Sequence, residues 1–306
     1  MSLRLYTHTS CLAHDTGDDH VERPERVAAV VDALRTAFPQ AEWVQAPVAP
    51  RDALLRVHMP QLLSRVLDQP VDAIHWLDAD TALSPHTAQA ALHAAGAALD
   101  ATDWALQGED RRAFCAVRPP GHHAETATPM GFCLFNNVAV AAAHALDNGC
   151  RRVAIADFDV HHGNGTQQIF LREPRVLFAS SQQIPLYPGS GGDDADMGMG
   201  QAINAALPPL ASREHFRRVW SERLLPRIAA FKPDLLLLSA GFDAHRLDPL
   251  AQQLLEADDY AWLTGEVVAI AQRYAKGRVV SVLEGGYDLT ALRESAVAHV
   301  GALLAA

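Results

Sequence analysis

The chain has 306 residues, of which 49% are hydrophobic, and its formal net charge is −11 at pH 7. This acidic balance disfavours nucleic-acid binding, and no apolar run approaches the about 18 residues of a membrane-spanning helix. The four cysteines are scattered without a CxxC pair and the first residues lack a secretory signal pattern, so we expect free thiols and a cytoplasmic protein.

Short apolar runs alternate with helical patterns along the chain. Continuous apolar runs of this length are typical of strands that are covered on both faces. In chain order, the pattern predicts a strand over 3–7, helices over 24–37 and 85–105, a strand over 112–117, a helix over 137–148, strands over 151–158 and 175–180, a helix over 212–230, a strand over 234–239, a helix over 257–275, a strand over 278–283 and a helix over 289–304. This alternation predicts an α/β fold, with one parallel sheet and helices on both faces, in a single domain over residues 1–306.

The longest irregular stretch is SSQQIPLYPGSGGDDADMGMGQ, residues 180–201, which is rich in Gly, Pro and Asp. Connections between elements are usually about 2–6 residues long, so this stretch is too long to serve only as a connector. We therefore expect a functional loop here.

Four polar motifs follow four of the predicted strands directly. They are RPPGHH (118–123), DFDVHHGNG (157–165), GFDAH (241–245) and EGGYDL (284–289). Ligands of open parallel sheets bind beyond the carboxyl ends of the strands. We therefore expect the four motifs to meet at one edge of the sheet.

Asp159 and His161 form a candidate metal-binding pair, because side chains two residues apart on an extended backbone point the same way. Asp243, from another strand end, would complete three ligands. Three N or O ligands with an open position are typical of catalytic zinc, although Fe²⁺ or Co²⁺ suits the same donors. The alternative is a solvated loop with a hydrogen-bonded Asp, which the four motifs at successive strand ends disfavour.

His122 and His123 form an adjacent pair that is suited to general acid or base work, because imidazole titrates near neutral pH. Asp157 and Asn164 are candidate partners that would orient them. An Asp partner raises the pKa of its histidine and an Asn partner does not, so the two neighbours can play unlike roles. The alternative is a pair that only packs the turn.

Three aromatic residues lie beside glycines. Tyr287 follows Gly285 and Gly286, and its hydroxyl could donate to a developing oxyanion. Phe132, next to Gly131, and Tyr187 are candidates for the walls of a narrow apolar slot. Ordinary packing is the alternative for all three rings.

Together these motifs resemble the signature blocks of the histone deacetylase superfamily. RPPGHHA, GFCLFNNVAVAA, DFDVHHGNGTQ, LSAGFDAH and LEGGYDL occur in the family's order and spacing. HVERPERV (20–27) is similar to the family's N-terminal block, with Val21 where proline is common. The sequences DVHHGNGTQ and LEGGYDL resemble those of class II and its bacterial relatives more than those of class I.

The resemblance implies the arginase–deacetylase fold and a set of roles for single residues. It implies that zinc is held by Asp159, His161 and Asp243. It also implies that His123 is the general base and later acid, and that His122, paired with Asp157, is an electrostatic helper. Asn164 takes the place of an Asp of class I, Tyr287 stabilises the oxyanion, and the acyl-lysine tunnel is lined by Phe132 and Tyr187.

The resemblance also implies structural potassium. One site would use Asp157, Asp159, His161, Ser180 and Ser181. A second site would use backbone oxygens near Phe170, Glu173 and Val176.

Members of the family act either on acyl-lysine side chains or on acetylated polyamines. Polyamine-selective relatives tend to carry an acidic residue seven positions after the third zinc ligand, where this chain has Leu250. That favours acyl-lysine proteins, peptides or another small N-acyl amine. Asp80 lies where relatives contact the substrate backbone.

The predicted activity is zinc-dependent deacylation, which releases acetate and a free amine. The alternatives are an acetylpolyamine amidohydrolase, a non-hydrolytic acyl-amine-binding protein and, less favoured, an arginase-type ureohydrolase. The oligomeric state stays open.

Overall fold

The computed structural model describes residues 1–193 and 201–305, and its centre is an eight-stranded parallel sheet. The strands among the described residues are β1 (Ser2–Thr7), β2 (Glu42–Gln45), β3 (His75–Trp76), β4 (Ala82–Leu83), β5 (Arg111–Cys115), β6 (Val153–Asp157), β7 (Val176–Gln183), β8 (Gln201–Leu207), β9 (Leu235–Ala240) and β10 (Val279–Leu283). The sheet order is β2-β1-β5-β10-β9-β6-β7-β8, while β3 and β4 form a separate antiparallel pair.

Helices surround this sheet. They are α1 (Ser10–Ala13), α2 (Pro24–Ala37), α3 (Arg51–Leu54), α4 (Pro60–Leu67), α5 (Thr87–Leu106), α6 (Asn137–Asp147), α7 (Asn164–Phe170), α8 (Arg213–Val219), α9 (Leu225–Phe231), α10 (Ala257–Tyr274) and α11 (Leu289–Ala305). One packed group contains α5 and α6, and another contains α2, α10 and α11. Within the described ranges, no helix is long and apolar enough to cross a bilayer.

The central strands explain the continuous apolar runs of the sequence. Every residue of β6, β9 and β10 is buried, which requires cover on both faces of the sheet. The predicted α/β class with a parallel sheet is therefore confirmed. The single domain over residues 1–306 stays a prediction.

The edges of the sheet differ from the prediction. The sequence pattern does not predict the strands β2 and β8, because β2 is short and only half-buried, and β8 follows a polar stretch. The predicted loop over 180–201 is also shorter than expected. Residues 180–183 continue β7 as a buried polar strand whose backbone pairs with β8, and residues 194–200 lie outside the described residues.

The predicted helix over 212–230 is divided in three. A π-helical turn, Trp220–Leu224, separates α8 from α9. The indole of Trp220 is fully buried and donates a hydrogen bond to the hydroxyl of Ser181 in β7 (2.9 Å). This contact between distant segments has no signature in the helical periodicity.

The strand order decides where the four polar motifs meet. The strands β5, β10, β9 and β6 are consecutive neighbours in the middle of the sheet. Because they run parallel, their carboxyl ends lie at one edge, and each is followed by one of the four motifs. The site is thus assembled at the centre of that edge.

A buried ion cluster of Glu22, Arg26 and Arg118 lies next to this edge of the sheet. The carboxylate of Glu22 accepts two hydrogen bonds from Arg118 (both 2.7 Å) and one from Arg26 (2.9 Å), and all three side chains are almost fully buried. Arg26 also donates to the carbonyls of Glu284 and Gly286 (2.5 and 2.6 Å). The cluster therefore joins the start of α2 to the loops after β5 and β10.

Replacing Glu22 by glutamine is expected to destabilise the fold by about 3–5 kcal/mol, because two buried guanidiniums lose their counter-charge. Burial alone would raise the pKa of Glu22, but the charge and hydrogen bonds of Arg118 hold it below its usual range. The ionised carboxylate thus contributes stability above the unfolded-state pKa of about 4.3, and this contribution is lost as the pH falls below that value.

Urea denaturation across pH 3–8 measures both effects. The exposed Glu25 in the first turn of α2 provides the control variant, Glu25→Gln. A Glu22→Gln protein as stable as the control at pH 7, or a gap between them that does not narrow in acid, would contradict the assignment.

Candidate active site

Three ligand-type side chains converge after β6 and β9. The carboxylates of Asp159 and Asp243 and the imidazole of His161 offer atoms within 4.8 Å of one another, and all three residues are buried. The Nδ1 atom of His161 lies 3.1 Å from Asp159 Oδ1 and 3.1 Å from Asp243 Oδ2. Two carboxylates buried this closely repel each other unless a positive charge lies between them.

Backbone groups turn the carboxylates toward that point. The N–H of Gly285 donates to Asp159 Oδ2 (2.8 Å), and the N–H of Val160 donates to Asp243 Oδ1 (2.8 Å). The remaining oxygens of the two carboxylates face His161. A Cβ atom at Gly285 would overlap both carboxylates, so glycine is needed for this close approach.

The donor set fits a divalent metal ion of the zinc type. Two carboxylate oxygens and one imidazole nitrogen are typical catalytic-zinc ligands and leave a fourth position open. Burial opposes a charge on His161, but its two carboxylate partners raise its pKa to about 10. A proton on Nδ1 and a metal ion would therefore compete for the same place.

The tandem histidines lie beside this cluster with different partners. The Nδ1 atom of His122 is 3.0 Å from Asp157 Oδ2, and that of His123 is 2.8 Å from Asn164 Oδ1. The amide nitrogen of Asn164 donates to Glu125 (3.0 Å), which leaves its oxygen to accept from His123. His123 therefore carries its proton on Nδ1 and has a bare Nε2.

The two histidines differ in charge for the same reason. Burial disfavours both imidazolium forms, but Asp159 and Asp157 raise the pKa of His122 to about 10. The pKa of His123 is lowered by burial and by the neighbouring His122 and His161. One imidazole is thus cationic and the other neutral near pH 7.

Glu284 anchors the turn that carries His122, a role that no sequence motif predicted. Its fully buried Oε2 accepts the N–H groups of Gly121 (2.6 Å) and His122 (3.1 Å), and its Oε1 accepts the hydroxyl of Ser239 (3.2 Å). Burial raises the pKa of Glu284 to about 7. The sequence signal for this role is a single one: Glu284 is a charged residue that directly follows a buried strand.

A cavity of about 230 Å³ opens above the cluster. It is lined by Asp80, His123, Gly131, Phe132, His161, Leu186, Tyr187, Leu250 and Tyr287. The residues predicted to contact the substrate, Asp80, Phe132, Tyr187 and Leu250, are among them, as is Gly131 beside Phe132, whereas no motif predicted Leu186 although it adjoins Tyr187. A Cβ at Gly131, whose φ is +56°, would clash with the ring of His123.

Tyr287 forms part of the cavity wall. Its ring meets Phe132 edge-to-face, with 5.9 Å between the ring centroids, and the guanidinium of Arg26 lies 4.8 Å from its centroid. Gly286, with φ +116°, makes the turn that precedes it. The hydroxyl-bearing ring is therefore held on two sides.

The residues implied for potassium lie in two places. Asp157 and Ser180 are register partners in β6 and β7, so the first set, Asp157, Asp159, His161, Ser180 and Ser181, lies next to the metal-type cluster. The second set runs from Phe170 at the end of α7 through Glu173 in the turn to Val176 at the start of β7, and none of the three lines the cavity. Potassium at both sets stays a prediction.

The family model named Histone deacetylase domain matches residues 20–303. The chain belongs to the histone deacetylase family. A probable deacetylase from Archaeoglobus fulgidus is 38% identical over 289 residues, which are 92% of this chain and 80% of the relative. A histone deacetylase-like amidohydrolase from Pseudomonas aeruginosa is 37% identical over 277 residues, 88% of this chain and 73% of the relative.

A solved structure of the histone deacetylase family has the same fold. The crystal structure of the HDA15 HD domain superposes with a TM-score of 0.92 at 33% identity, covering 99% of this chain and 88% of that chain. The resemblance that the motifs indicated is thus confirmed. The chain is a histone deacetylase-like enzyme of the deacetylase and amidohydrolase type.

Proposed function

We propose that this chain is a zinc-dependent amidohydrolase that removes acetyl groups from acyl-lysine side chains or related N-acyl amines. The observation that carries the proposal is the meeting of three groups in one cavity. These are His161, which belongs to the cluster of ligand-type residues with Asp159 and Asp243, the imidazole of His123 and the ring of Tyr287. We also propose that the enzyme works in the cytoplasm.

Asp159, His161 and Asp243 would hold the ion. Bound Zn²⁺ supplies a Lewis acid that polarises an amide carbonyl and lowers the pKa of water. Fe²⁺ or Co²⁺ would suit the same donors, so metal identity is part of the proposal.

The protein side chains move the protons. The bare Nε2 of His123 accepts a proton from the attacking water, while Asn164 holds its Nδ1–H in place. The hydroxide equivalent adds to the carbonyl carbon, and the carbon–nitrogen bond breaks. His123 then gives its proton to the departing amine, so water is added across the bond and acetate and a free amine result.

Two further residues stabilise charge. The hydroxyl of Tyr287 donates to the carbonyl oxygen as this becomes negative, and such donors typically contribute about 10²–10³ in rate. His122, held by Asp157, lies next to His123, with 4.0 Å between the ring centroids, and its imidazolium form would stabilise negative charge in the cavity. The ring walls at Phe132 and Tyr187 suit an aliphatic substrate arm.

Acetate release from a substrate panel tests the proposal. The panel contains an acetyl-lysine peptide, its trifluoroacetyl analogue, N-acetylputrescine and N-acetylspermidine, each with zinc-loaded and with chelator-stripped protein. Zinc-dependent release that favours the peptides is the expected result. Acetate release that is equal with and without metal, or absent from every substrate, would overturn the proposal. A preference for the acetylated polyamines would mean that these, and not acyl-lysine peptides, are the substrate class.

Leu250→Glu is expected to raise the kcat/KM ratio of N-acetylspermidine to acetyl-lysine peptide roughly two- to fivefold, because a partly exposed ion pair contributes about 0.2–1 kcal/mol. The new carboxylate would lie on the cavity wall, within reach of the internal ammonium of the polyamine. Leu247→Glu is the matched control, since Leu247 is exposed in the same segment and does not line the cavity. An equal shift in both variants would show a general charge effect instead.

A further inference from the structure

Asp248 is a buried carboxylate that lies behind the cavity wall. It is 7% exposed and lies in the segment between β9 and α10. Its Oδ2 accepts the N–H of Tyr287 (2.8 Å), and its Oδ1 accepts the N–H of Leu250 (3.0 Å). Its own N–H donates to the carbonyl of His245 (2.9 Å), so the backbone of Asp248 is anchored as well.

The two N–H groups belong to residues that line the cavity from different loops. Leu250 comes from the loop after β9, and Tyr287 comes from the loop after β10, 39 residues beyond Asp248. One carboxylate therefore links the cavity ends of these two loops, which the N–H of Phe242 and the carbonyl of Gly285 already join nearer the strands (3.0 Å). Arg26 holds the carbonyl of Gly286 (2.6 Å), whose φ is +116°, and the Asp248 carboxylate holds the next N–H, that of Tyr287.

A carboxylate suits this place better than any neutral side chain. It offers two acceptor oxygens to two donors, whereas an amide offers one oxygen and one NH₂ group that would face a backbone N–H. An unpaired buried N–H is unfavourable, so the loop would shift to relieve it. Asparagine at 248 would thus release either Tyr287 or Leu250.

We propose that Asp248 is a positioning residue that places the Tyr287 hydroxyl for oxyanion stabilisation and fixes Leu250, two residues further along its own loop. This inference rests on the proposed deacetylase function for its catalytic part. Asp248 acts through Tyr287 and does not need to contact the substrate.

The first test is the Asp248→Asn variant with an acetyl-lysine peptide. A misplacement of about 1 Å typically costs up to about 10²-fold, so kcat is expected to fall about 10- to 100-fold with a smaller change in KM. Asp288→Asn is the matched control, because Asp288 also accepts backbone N–H groups, those of Thr290 and Ala291, but outside the cavity. A kcat for Asp248→Asn equal to that of the control would overturn the proposal.

A double-mutant cycle separates positioning from general damage. If Asp248 acts through the Tyr287 hydroxyl, adding Asp248→Asn to Tyr287→Phe should lower kcat little further. The trifluoroacetyl peptide should also lose less rate, because its fluorines already stabilise negative charge on the carbonyl oxygen. The same fold loss in both backgrounds and with both peptides would assign Asp248 a structural role only.

Amide hydrogen exchange tests the two hydrogen bonds without any activity assay. In the wild-type protein the amides of Leu250 and Tyr287 should exchange slowly, and in a folded Asp248→Asn protein at least one of them should exchange faster. Fast exchange of both in the wild type would overturn the inference even if the variant failed to fold. Absence of acetate release from wild-type protein would sink the proposed function, while the exchange result would still decide the anchoring.

Discussion

Asp243→Asn is expected to abolish zinc binding and to lower the deacetylation rate by about 10³-fold or more. Its Oδ2 is one of three convergent ligand atoms, and its Oδ1 is already occupied by the N–H of Val160. An amide would either turn an NH₂ group toward the ion or lose the backbone hydrogen bond. Because the bound metal contributes several kcal/mol of transition-state stabilisation, the rate should fall with the metal content.

Metal analysis and acetate release on the same preparation measure this prediction. Wild-type protein should carry one zinc per chain and should melt at a lower temperature after chelation, because the ion binds only the folded state. The Asp243→Asn protein should show no chelator-dependent change in melting. Asp52→Asn on the exposed side of α3 is the control and should behave as wild type. Full zinc occupancy and full rate in Asp243→Asn would contradict the ligand assignment.

Tyr287→Phe is expected to lower kcat about 10²–10³-fold while KM changes little, because the hydroxyl acts mainly as charge develops on the substrate oxygen. The ring contacts with Phe132 and Arg26 remain in the phenylalanine variant, so the fold should be kept. Steady-state kinetics with the acetyl-lysine peptide and a thermal melt check both statements.

Tyr260→Phe is the matched control for the tyrosine variant. Tyr260 is fully buried but does not line the cavity, and its hydroxyl has no hydrogen-bond partner among the described residues. Removing that hydroxyl should leave the rate unchanged and the stability equal or higher. A Tyr287→Phe enzyme with the kcat of this control would exclude Tyr287 as the oxyanion donor.

The centre of the fold could be predicted from the sequence because its signal is local. The runs that form β6, β9 and β10 are continuously apolar, since both faces of these strands are covered. The edge strand β8 and the polar end of β7 could not be predicted in this way. Their backbone hydrogen bonds are made with each other, while the end of β7 is polar and the apolar run of β8 is interrupted by Asn204.

The candidate site, like the fold, could be predicted only where its signal is local in the sequence. The sequence alone determined which residue types could carry the chemistry, because the pairs Asp159 and His161 and His122 and His123 are neighbours in the chain, and because their motifs place the chain in a known family.

Only the tertiary structure decided which buried carboxylates hold the site together. Glu22, Glu284 and Asp248 accept hydrogen bonds from groups up to 163 residues away, such as the N–H of Gly121 on Glu284. A single acidic residue beside a motif looks the same in the sequence whether it is solvated or buried. The strand order brings distant N–H groups to it, and that order depends on the packing of the whole sheet, which no local pattern records.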